Sequence, residues 1–72
     1  MIKNIHSSSS NIIELEDLKI LFNKENYDLL EIKTKSLIQK YPHVPILYNI
    51  LGVSQSSRKM LTEAIVNFKK AI

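Results

Sequence analysis

Two histidines, an acidic cluster, a basic cluster and a single glycine are the residues of this chain whose types could carry chemistry. His6 lies in a serine-rich leader and His43 between two prolines. Neither has a second His, Asp or Glu at ligand spacing, so both read as loop histidines, not metal ligands. Glu14, Glu16 and Asp17 crowd the start of an apolar-periodic segment, where carboxylates complement a helix dipole and need no catalytic duty. Arg58, Lys59, Lys69 and Lys70 face only Glu63, a local charge of about +3. Lysines near a helix C-terminus are favoured by the same dipole, and no aromatic residues interleave these as a nucleic-acid surface would require. One glycine cannot build a phosphate-cradling loop, and no nucleophile, base and orienting residue can be assembled. These residues argue against an active site, a metal or a cofactor.

The bulk composition narrows the setting. Seventy-two residues make one small domain or a piece of a larger one, and at this size folding buries only about 60% of the chain's surface. A net charge of +3 is too small to imply nucleic-acid binding without clustering. Cysteine is absent, which removes disulfides and thiolate chemistry. No apolar run approaches the ~20 residues of a membrane span, and the leader lacks the apolar stretch of a signal peptide. A cytoplasmic location is the default reading.

The elements follow from spacing. Residues 1–10, ending in Ser7–Ser10, have the composition of a disordered leader. Asn11 with Glu14 three positions on has the form of a capping box, and Leu15, Leu18, Leu21 and Phe22 then recur at helical spacing. Asn23–Asn26 suits a turn. A second stripe, Tyr27, Leu30, Thr34, Leu37, Ile38 and Tyr41, stops against Pro42. Pro45 suits the first position of a third helix carrying Ile46, Leu47, Tyr48, Ile50, Leu51 and Val53. Ser54 to Lys59 reads as its polar end and turn, and a fourth stripe runs from Leu61 through Ala64, Ile65, Phe68 and Ala71 to Ile72. No segment has strand periodicity. The expected fold is all-α: a leader over 1–10 and two antiparallel helix pairs over 11–42 and 43–72.

The spacing of Tyr48, Leu51-Gly52, Ala64 and Phe68, with Pro42 ahead, adds a sharper expectation. Residues 45–72 resemble the tetratricopeptide repeat family, whose period is 34 residues and whose pattern runs Trp, Leu-Gly, Tyr, Ala, Phe, Pro. Tyr48 stands for the Trp, Gln55 replaces the Tyr, and Leu51-Gly52, Ala64 and Phe68 match directly. One period earlier the match is degenerate: Leu18 holds the Gly52 position, Thr34 that of Phe68, and Asp17 that of Leu51. In this reading Gly52 and Ala64 are the small pair that lets two helices cross closely, with Tyr48 and Phe68 flanking them.

The resemblance implies a right-handed solenoid, with this chain a fragment of a longer array because its last repeat stops before the closing proline. It also implies a scaffold that binds a protein or peptide in the concave groove lined by first helices. By register the groove-facing residues are Leu15, Lys19, Phe22 and Asn23 in the first helix and Asn49, Val53 and Ser56 in the third, Asn49 being suited to bond a peptide backbone. Two other readings stand beside it. The chain could be the N-terminal repeat region of a larger bacterial enzyme, such as a glycosyltransferase or sulfotransferase. It could equally be a small structural protein that associates with itself through the last helix.

Overall fold

The computed structural model describes the backbone of residues 5–72 and side chains from Glu14 onward. The described residues are all-helical, with α1 at Ile5–Asn23, α2 at Tyr27–Lys40, α3 at Pro45–Ser57 and α4 at Leu61–Ala71, and with no strand. Each helix packs on the one before it, and α3 packs against both α2 and α4.

The connections explain why the helices end where they do. At the end of α1, Glu25 takes a left-handed φ of 58°. Its N–H donates to the Phe22 carbonyl at 2.9 Å, and the Asn26 N–H reaches the Leu21 carbonyl at 3.0 Å. The end of α3 repeats this pattern. Lys59 has φ 67°, its N–H donates to Ser56 at 3.0 Å, and the Met60 N–H donates to Gln55 at 2.8 Å. Both are Schellman closures, which occupy carbonyls a helix end would otherwise leave open. Glu25 and Lys59 are 34 positions apart, as are the first residues of α2 and α4. The backbone therefore repeats at the interval seen in the sequence, although neither left-handed residue is a glycine.

Between the pairs, Tyr41 closes α2 with its N–H on the Leu37 carbonyl at 2.8 Å. Pro45 opens α3, where its missing N–H costs nothing. Leu18, Leu30, Leu37 and Leu47 form a core cluster drawn from α1, α2 and α3, with Leu15, Tyr27, Ile38 and Ile50 against it. Leu51 and Ala64 are buried as well.

Three expectations change. Asn11 is not an N-cap, because α1 begins at Ile5. Of the expected leader, residues 1–4 lie outside the described residues, as does the side chain of His6, while 5–10 form the first turns of α1. Adding turns to an existing helix avoids the cost of nucleation, so a helix anchored by packing further along can extend through serines. Ser54 and Gln55 are not a polar helix end, since α3 continues to Ser57 and both are buried. The Ser54 hydroxyl donates to the Leu51 carbonyl at 2.8 Å, so its burial leaves no unpaired group.

The third change concerns Gly52. The three atoms nearest to where its β-carbon would lie all belong to the Phe68 ring, at 2.6, 2.7 and 3.0 Å. The ring of Phe68, expected only to flank the crossing, is the group nearest to the space this glycine leaves. One period earlier the sizes are exchanged: Leu18 and Thr34 are both fully buried, with the large side chain now on the first helix of its pair.

Candidate interaction groove

A groove of about 720 Å³ is walled by α1 and α3. Leu15, Leu18, Ile20, Phe22, Ile46, Ile50 and Val53 give it an apolar lining, and Glu16, Lys19 and Asn23 lie on its α1 side. Lys19 and Glu16 pair with each other at 3.3 Å, three residues apart on one helix. The lining therefore carries no net charge. Phe22 and Ile46 remain exposed, which is costly for large apolar side chains unless something covers them. Phe22 is held by an edge-on contact with Tyr27, ring centres 6.0 Å apart, which fixes one end of the groove.

Of the residues singled out from sequence, the structure brings Leu15, Lys19, Phe22, Asn23 and Val53 to this groove. Asn49 and Ser56 are exposed and lie outside its lining. Ile46 and Ile50 take their place. The α3 face toward the groove is displaced by three residues from the expected register, a rotation of about 60° at 3.6 residues per turn. Sequence carried a signal for this, because Ile46, Ile50 and Val53 are apolar at helical spacing while Asn49 and Ser56 are polar.

A buried polar chain holds the α3 wall in place. Glu31 of α2 is nearly inaccessible, and its carboxylate accepts from Lys35 at 3.2 Å, from Gln55 Nε2 at 3.3 Å and from Arg58. The Gln55 amide oxygen in turn accepts from Asn67 Nδ2 at 2.7 Å. That same Asn67 nitrogen also donates to the Glu63 carbonyl at 3.1 Å. Three helices are thus joined through Glu31, Gln55 and Asn67, each with partners for its buried polar atoms. Burial alone raises the Glu31 pKa. The bonds from Lys35 and Gln55, the Lys35 charge and the Arg58 bond outweigh it and hold the carboxyl below the ordinary glutamate range.

Arg58 also bonds Asp28 at 2.8 Å, so it is spent on α2 and does not belong to a free basic patch. The Tyr48 hydroxyl donates to the Pro42 carbonyl at 2.8 Å, fastening α3 to the connector, and Lys70 lies over the Tyr48 ring at 5.7 Å. Among the described residues no cluster of three or more His, Cys, Asp or Glu could hold a metal ion. None of the described helices is long and apolar enough to cross a membrane. Compared with protein-family models, curated proteins and solved structures, the chain matches none.

Proposed function

We propose that this chain is a protein-interaction module that holds a peptide or a partner helix in the groove between α1 and α3. The observation that carries the reading is the uncharged apolar lining of that groove, with Phe22 and Ile46 left exposed at its surface. A binding helix would set apolar anchors at i, i+4 and i+7 against Leu15, Ile46, Ile50 and Val53, and would meet Asn23 and Lys19 at the edge. The 34-residue recurrence of the two Schellman turns and the resemblance of residues 45–72 to tetratricopeptide repeats support the same role. The reading is that of a scaffold, with no chemistry of its own.

A displayed library of amphipathic helical peptides, selected on the purified chain, supplies a probe. The selected peptide is expected to lose affinity at least about tenfold against Val53→Glu, as truncating or charging a central anchor does. Equal affinity for the wild type and Val53→Glu would remove the groove from consideration.

A further inference from the structure

A second surface is left uncovered, and the internal repetition of the chain says what fits it. We propose that a second copy of this chain docks head to tail, laying its α1 on the exposed face of α4.

At the junction inside the molecule, α3 meets α2 through three polar pairs, one of them Arg58 with Glu31. Gln55 donates to Glu31 at 3.3 Å, and Arg58 bonds Asp28 at 2.8 Å. Because the turns recur at 34 residues, α4 is the counterpart of α2, and α1 is the counterpart of α3. Carried forward one period, Glu31 becomes Ile65 and Asp28 becomes Thr62. Carried back one period, Gln55 becomes Leu21 and Arg58 becomes Lys24.

The acid–amide pair changes on both sides, whereas at the Arg58–Asp28 ion pair the cation is kept and only the acid is replaced. The buried acid and amide become Ile65 and Leu21, apolar against apolar. The ion pair becomes Thr62 and Lys24, a hydroxyl whose oxygen can accept from the exposed lysine, with no carboxylate left stranded. Had only one member of the acid–amide pair changed, the contact would bury a polar group with no partner, which is strongly unfavourable.

Exposure follows the same logic. Leu61 and Ile65 on α4 are 60% and 54% accessible, and Ile20 on α1 is 50% accessible. Ser54, the internal counterpart of Ile20, is fully buried. The two open faces lie on different helices of one molecule, so their union is heterologous and adds copies end to end instead of closing a symmetric pair.

Sedimentation of the purified chain over rising concentration tests this. The wild type is expected to pass from monomer to species larger than a dimer. Ile65→Glu and Ile20→Glu are each expected to stay monomeric with unchanged circular dichroism, since both side chains are exposed. An equimolar mixture of the two is expected to form a dimer and nothing larger, because each variant keeps one intact face. Leu61→Lys, on the same face, replaces Ile65→Glu if that variant loses helicity. A wild type that stays monomeric, association that survives Ile20→Glu, or a mixture that fails to dimerise would each overturn the proposal. Ile20 also lines the groove, so the α4 variants Ile65→Glu and Leu61→Lys, which lie outside it, separate the two surfaces. They are expected to abolish association while leaving binding of the selected peptide unchanged, and Val53→Glu is expected to do the reverse.

Discussion

The ring of Phe68 occupies the space that a β-carbon on Gly52 would need, its Cε1 atom 2.6 Å from that position. Gly52→Ala therefore sets two effects against each other. Alanine gains up to about 1 kcal/mol of helix propensity, while forcing a rigid ring out of a packed site costs about 1–3 kcal/mol. The clash is expected to win, lowering stability in urea unfolding. Adding Phe68→Leu to Gly52→Ala is expected to recover part of the loss, because neighbouring substitutions do not add. A more stable Gly52→Ala would contradict this packing.

Glu31 gives the fold a defined acid sensitivity. Its folded pKa is lowered, so its stabilisation is complete above the unfolded value of about 4.3. It is lost as pH falls through the lower folded value. Glu31→Gln is expected to melt below the wild type near pH 6, with the gap narrowing as the pH falls to about 3. A gap that stays constant over that interval would show that the carboxylate's charge is not what matters.

Gln55 is the middle of the chain that links α2 to α4. Gln55→Leu removes the acceptor for Asn67 and a donor to Glu31, both buried. Asn67 keeps the Glu63 carbonyl, and Glu31 keeps Lys35 and Arg58. The expected cost is therefore that of the lost hydrogen bonds, about 0.5–1.5 kcal/mol each, although leucine is the more apolar residue. Thermal unfolding against the wild type reads the difference.

Tyr48 separates a hydrogen bond from a ring. Tyr48→Phe keeps the ring beneath Lys70 and deletes the bond to the Pro42 carbonyl. The expected cost is about 0.5–1.5 kcal/mol, with faster amide exchange in the connector from Tyr41 to Val44. Lys69→Glu, on an exposed face, is expected to shift stability by no more than about 0.5 kcal/mol.

The parts of this fold that local chemistry decides were legible in the residues. Pro42 and Pro45 bound the connector because proline constrains itself and its predecessor, and the leucine stripes follow the helical period. The α1 side of the groove was legible for the same reason. What escaped were features that depend on distant partners. Gln55 and Ser54 read as surface because nothing nearby in sequence announces Glu31, 24 positions earlier, or Asn67, 12 positions later. Arg58 read as a free cation because its carboxylates lie on another helix. The left-handed turns at Glu25 and Lys59 carry no glycine to mark them. The orientation of α3 escaped as well, since the rotation that turns Ile46 and Ile50 toward α1 is set by packing against α2 and α4.

The groove between α1 and α3 stands or falls on where a bound peptide perturbs the chain. Amide chemical shifts, followed while the selected amphipathic peptide is titrated into labelled protein, give that answer residue by residue. The largest changes are expected at Lys19, Phe22, Ile46, Ile50 and Val53, with Glu63 to Lys70 of α4 unmoved. Changes confined to α4, or spread evenly over the chain, would contradict a binding groove at this place.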